Sequence, residues 1–453
     1  MKTTTTINNM SLIYMKRYIT AITLLCSIAI FAQNKKWTIQ ECVTYALENN
    51  ITVKQGENTL LSNDQDVIAT KGNLLPTLSA NTGHNLTLGN AEIFPGQFVD
   101  RTANSTNLSI NVNQTIFNGF RNTYFYKQAL INREANELNL SKIKDDISLI
   151  VVNAYLNVLF NKENLETAQA QYEFSLKQLK QVQEFVDAGV QPKADIYDSE
   201  ATLAADEQSV TIADNNYTLA LLSLSQTLQL PFDGFDVEII ELDDPASELM
   251  YNDVTPILNQ AIENRSEIKV AEKNIESAEI GTKISKSGFS PRVTAGYGFG
   301  SNVFFTNLTS DEASFFDQLN DQKTQSFNIN VNIPIFSGFA NKTNVAKSKI
   351  SEENSKLDLE QAKLDLESNV QRAFTDAQAA LKAYLAARKS LTSQELAFQN
   401  SQERYNIGSM NSFDLEQTRI RLINAQSSLI NAKYDFIFKT KVLDFYSGKS
   451  LID

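Results

Sequence analysis

The chain has 453 residues, 42% hydrophobic and 21% charged, with one His and two Cys. That is ample apolar material for a large core, but His84 alone excludes imidazole-rich zinc and iron sites, and a Ser/His/Asp relay would have to pass through it. With 40 Lys+Arg against 53 Asp+Glu and a net charge of −13, phosphate backbones are repelled, so nucleic acid is not a partner. Acids are abundant, yet none converges with a nucleophile, a phosphate loop or metal-ligand spacing, so no catalytic residue, metal or cofactor is expected.

In chain order, Lys16 and Arg17 precede an apolar run from Ile19 to Phe31 that ends at Ala32. This is the layout of a signal peptide over 1–32, with Met15 a tighter start than Met1. Cys26 would suit a lipoprotein only with a small residue before it, where Leu25 stands. In the mature chain, 33–453, Cys42 is the one thiol. It reads as a small buried helix residue, and no intramolecular disulfide is possible. No later apolar run reaches roughly eighteen residues, so a helical span is excluded and a β-barrel segment is not.

The mature chain contains a tandem repeat, about 38–230 and about 254–447. Ala46, Glu48, Asn49 and Pro76 recur 215 positions on as Ala261, Glu263, Asn264 and Pro291. Ile116, Phe117, Gly119, Phe120, Gly189 and Asp195 recur 219 positions on as Ile335, Phe336, Gly338, Phe339, Gly408 and Asp414.

Each repeat begins with a helical segment, Thr38–Lys71 or Val254–Ser287. Strands follow at about 77–88 and 107–116, then at 292–302 and 326–336, joined by loops near 89–106 and 303–325. Phe327, Ile329, Val331, Ile333 and Ile335 alternate with Ser326, Asn328, Asn330 and Asn332, which is the period of a strand with one greasy and one wet face. From Phe120 to Ala188, and again from Phe339 to Ile407, there is neither Gly nor Pro. Each run predicts one helix about 100 Å long, stopped at Gly189 or Gly408. Heptads through Val151, Val158 and Leu165, and through Val370, Ala377 and Tyr384, with small residues such as Ser175 on the intervening seam, predict coiled-coil packing. Ala194–Leu228 and Ser412–Tyr446 close the two repeats as shorter helices.

A soluble sandwich would also use half-polar strands. However, ten residues suffice to cross a bilayer when tilted, and Phe117, Phe120, Phe336 and Phe339 cluster at the strand ends, which favours a membrane barrel. Four strands cannot close around a channel, so the chain must oligomerise. A secreted or surface coiled-coil protein, structural or adhesive, would explain the heptads and signal but not the inserted strands.

The ordered whole resembles the TolC family of outer-membrane efflux channels: tandem halves, Pro76 and Pro291 before strands, Ile-Phe-Asn/Ser-Gly-Phe exits, and Arg404-Tyr405-Asn406-Ile407-Gly408 leading to Asp414. The resemblance implies a mainly α-helical protomer with a membrane β-barrel portion. It implies a homotrimer with a twelve-stranded barrel in outer-membrane lipid and a trimeric α-barrel in the periplasm. It further implies a gated conduit for efflux or type I secretion, docked to a periplasmic adaptor and an inner-membrane pump of RND or ABC type. The tunnel would be pinched at periplasmic-tip turns near Gly189 and Gly408. Asp414 matches a pore-constricting acid of the family, whereas Gln417 stands where a second acid is common; Asp195 and Asp198 are the first-repeat candidates. Asp195 and Asp414 also suit a helix's first turn, where the dipole favours acids, with Asn411 as a cap for the second.

Overall fold

The structure, a computed structural model, describes residues 36–239, 251, 253–310 and 312–449. The expected signal segment 1–32, with Met15 and Cys26, and residues 240–250 between the two repeats lie outside the described residues. The order is β1 (Lys36–Trp37), α1 (Ile39–Asn49), α2 (Ile51–Gly72), β2 (Thr77–Phe94), β3 (Gln97–Phe117), α3 (Arg121–Asp187) and α4 (Ala194–Leu228). After β4 (Asp236–Val237) come α5 (Thr255–Asn264), α6 (Ser266–Lys286), β5 (Arg292–Thr306), α7 (Phe315–Asp321), β6 (Thr324–Asn332), α8 (Ala340–Asn406) and α9 (Ser412–Tyr446). The fold is mainly α-helical with one four-stranded antiparallel sheet, in order β2-β3-β5-β6. α3 and α8 have 67 residues each.

Several boundaries differ from the sequence reading. The helix expected over 38–71 breaks at Asn50, where ψ is 133° and the side chain takes the Thr52 N–H at 2.8 Å, a local bond that competes with the helix ladder. The one expected over 254–287 breaks 215 positions later at Arg265, with ψ 135°. The loop expected near 89–106 is instead hairpin, since β2 and β3 stay paired out to Phe94 and Gln97 and turn through Pro95 and Gly96 (φ +81°). The loop expected over 303–325 holds the end of β5, the start of β6 and, between them, α7, whose Gln318 Oε1 accepts the Phe304 N–H at 2.9 Å. β6 ends at Asn332 rather than 336; Pro334 offers no N–H to a ladder.

The chain forms two compact units. The first takes the described residues of Met1–Lys54, Ile143–Glu263 and Leu366–Asp453. Its main core gathers around Val151, Val152, Tyr155 and Val158 of α3, against Cys42, Val43 and Ala46 of α1 and Leu221, Leu224 and Leu228 of α4. The Tyr155 hydroxyl donates to the Glu238 carbonyl at 2.6 Å, anchoring the parallel β1–β4 pair. Seam residues Val158, Leu165, Ala168, Ser175 and Val182 are buried on α3, as are Val370, Ala373, Ala377, Ala380 and Tyr384 on α8. The second unit, Gln55–Lys142 with Asn264–Asp365, carries the four-stranded sheet and the starts of both long helices.

Candidate functional site

Three features carry chemistry: the sheet, the strand-to-helix junctions and the turns that end the long helices. In the sheet, register puts Ala80 opposite Ile110, Ile110 opposite Phe299, Val112 opposite Tyr297 and Tyr297 opposite Phe327, so one face is apolar across all four strands. Leu78 is 73% exposed, Phe327 80% and Ile329 76%, an apolar surface that water does not tolerate at this extent. The other face alternates amides with glycines, as in Asn113 opposite Gly296 and Gly296 opposite Asn328. On β2 this face carries Leu78, Ala80, Leu86 and Leu88, interrupted by Thr82 and by His84, whose ring nitrogen shares a hydrogen bond with the Thr106 hydroxyl at 2.9 Å, and it then meets Asn90 and Glu92. Ten tilted residues rise about 25 Å, the height of a barrel's lipid-facing band. β2 and β6 form the edges of this sheet, and an unpaired edge has no place in hydrocarbon.

Each strand pair enters its long helix through two residues with positive φ: Gly119 and Phe120 at +67° and +64°, Gly338 and Phe339 at +58° and +67°. Phe117 meets Phe120 edge-on at 5.5 Å, and Phe336 meets Phe339 at 5.6 Å. The Asn122 amide donates to the Asn73 carbonyl at 2.7 Å and the Asn341 amide to the Gly288 carbonyl at 2.5 Å, tying the start of each long helix to the end of the segment before its strands.

At the far ends, Gly189 and Gly408 both have φ +75°. Val190 N donates to Phe185 O at 2.9 Å and Ser409 N to Arg404 O at 2.8 Å, the Schellman closure that left-handed glycine permits. Gln191 Nε2 donates to the Tyr405 hydroxyl at 2.9 Å, joining the two turns. Asn411 caps α9 by accepting the Asp414 N–H at 2.8 Å, and both Asp414 and Gln417 are exposed. At the equivalent place Lys193 makes no side-chain cap, Asp195 is half-buried, and Asp198 is exposed on a hollow of about 190 Å³ shared with Ser175 and Glu416.

Beside that hollow lies a cluster the sequence reading passed over. Arg419 of α9, 7% exposed in its side chain, donates Nη1 to Asp206 Oδ2 at 2.9 Å, and Nε and Nη2 to Glu416 at 2.8 and 2.9 Å. Ser175 of α3 donates to the same Asp206 oxygen. Burial works against the Arg419 charge, but the bonds to Glu416 and Asp206 outweigh it and raise the guanidinium above its ordinary range. Three helices are thereby fastened about three to five turns from the Gly189 and Gly408 bends.

The model of the family described as outer membrane efflux protein matches residues 43–228 and 257–448. The chain belongs to that family. TolC of Vibrio cholerae is 20% identical over 376 residues, covering 82% of this chain and 81% of that protein. Among solved structures, the outer membrane protein VceC of Vibrio cholerae has a TM-score of 0.74 at 16% identity, covering 91% of this chain and 96% of that one. CusC has a TM-score of 0.77 at 16% identity, covering 91% and 92%.

As an outer membrane efflux protein, the chain is a protein of the cell outer membrane that extends into the periplasm and serves as an efflux conduit. Its relatives are channels rather than enzymes.

Proposed function

We propose that three copies assemble into a twelve-stranded barrel continued by a periplasmic α-helical tunnel, and that this homotrimer is the exit duct of a tripartite efflux or type I secretion system. A periplasmic adaptor and an inner-membrane pump of RND or ABC type supply the rest. Conduction is passive, and adaptor binding moves the helices at the Gly189 and Gly408 turns apart. Asp414, with Gln417 one turn on and Asp195 and Asp198 in the first repeat, sets the charge of the constriction and favours cations.

The observation that carries this reading is the β3–β5 pairing, which joins the last strand of repeat one to the first strand of repeat two. The same step, taken from repeat two of one copy to repeat one of the next, pairs β6 with β2. Asn113–Gly296 then becomes Asn332–Asn81, and Ser109–Gly300 becomes Asn328–Asn85. This register keeps amides facing amides and closes both open edges. A double variant, Asn85→Cys with Asn328→Cys, is expected to give disulfide-linked trimers on non-reducing gels of outer membranes, with each single variant unlinked. A protein that remains monomeric and dissolved without detergent would overturn the barrel and favour a coiled-coil protein of the surface.

A further inference from the structure

We propose that the concavity under the polar face of the sheet, where strands give way to the long helices, binds anionic groups of transported solutes. The hollow measures about 950 Å³ and is walled by Arg121, Arg292 and a set of amide and hydroxyl side chains, among them Asn113 and Asn332. No carboxylate of the described residues lines it, in a chain whose 53 acids outnumber its 40 Lys and Arg. Neither arginine has an ion-pair partner among the described residues. Arg121 lies over the Phe125 ring at 5.5 Å, which steadies the guanidinium while leaving its in-plane donors open. Arg292 is the first residue of β5 and exposed, on the amide-bearing face it shares with Thr294 and Gly296. The α3 and α8 N-termini at the same level add partial positive charge.

Two unpaired forks on a neutral polar wall match carboxylates, sulfonates and phosphates, each able to take paired N–H donors. The volume suits a small molecule. On the trimeric reading, on which the transport role rests, six guanidinium groups ring the passage. Cargo then meets a cationic collar here and an acidic constriction at the helix turns.

The test uses the full mature chain in detergent with pyrene-1,3,6,8-tetrasulfonate as probe, followed by fluorescence anisotropy. Wild-type protein is expected to bind with an affinity that falls as salt rises. Arg121→Gln with Arg292→Gln should weaken binding by about tenfold or more, and Lys363→Gln should leave it unchanged. Circular dichroism checks that the double variant is folded. Absence of binding by the wild type, or equal binding by the folded double variant, overturns the site. The same preparations are placed in planar bilayers. Dye binding without channel conductance would sink the channel reading and leave the anion site standing; conductance with no dye binding would do the reverse.

Discussion

Where strands become long helices, the two repeats are nearly superimposable in detail: positive φ at Gly119–Phe120 and Gly338–Phe339, edge-on Phe pairs, and an amide from Asn122 or Asn341 reaching back to a carbonyl 215 positions apart in the two copies. Beyond the Schellman turns at the other ends of those helices the repeats part. Asn411 caps α9 while Lys193 caps nothing, and Arg419 is buried on Asp206, whereas the position 219 earlier is Glu200, exposed. The difference teaches that the junction is fixed by backbone geometry, which both repeats must satisfy to send a strand into a helix. The turn region is held by side chains, and these were free to diverge, so that one repeat fastens its neighbours with a buried cation and the other does not.

The largest break in that comparison should come from Arg419→Met. It leaves Asp206 buried with only Ser175 as a donor, and loss of one partner in a buried pair costs about 3 kcal/mol. The expected result is a clear fall in Tm, while Glu200→Met, at the matching exposed site, should move Tm little. Equal shifts would show that the buried link contributes nothing of its own.

Next comes the pair Gly119→Ala and Gly338→Ala. Both force a Cβ onto positive φ, costing about 1–2 kcal/mol. A Cβ on Gly119 would also meet Ser290 Cβ at 2.6 Å, while one on Gly338 has no atom of the described residues within 4 Å. Overpacking adds about 1–3 kcal/mol, so the Gly119 variant should be the less stable by thermal melting of detergent-solubilised protein. If the contact repeats between copies, Gly338 faces Leu75 of a neighbour, and the two variants should then converge in the assembled state.

The smallest effect on stability, within about 0.5 kcal/mol, is expected for Asp414→Ala and Asp195→Ala. Their signature is electrical. Reversal potentials in asymmetric KCl should lose cation preference, more for exposed Asp414 than for half-buried Asp195. Unchanged selectivity in both would remove the acids from the constriction.

Much of the helical frame was legible because glycine punctuates it. Gly189 and Gly408 mark where the long helices stop, and α4 and α9 occupy Ala194–Leu228 and Ser412–Tyr446. The breaks at Asn50 and Arg265 were hidden because no Gly or Pro announces them; an amide bond to Thr52 and an extended ψ do the work. The long β2–β3 hairpin was read as loop because Gly89, Asn90 and Glu92 lack the alternation that marks the lower strand, and backbone pairing persists without it. The Arg419 cluster joins residues up to 244 apart. Ser175 alone suggested only a small seam residue, since a buried ion pair is visible only once three helices are side by side. The Arg121 and Arg292 hollow was likewise invisible, its two charges lying 171 positions apart in different repeats.

The uneven hairpins have a consequence for the living surface. β2 and β3 span 18 and 21 residues, against 9 in β6, and their upper rungs set Asn90, Glu92 and Asp100 among Ala91, Phe98 and Val99. In the trimer proposed above these rungs would stand clear of the bilayer as posts around the mouth, with the exposed Ile93, Phe94 and Phe98 near their crests. In the proposed trimer, a solute approaching from outside meets these posts before it meets the passage.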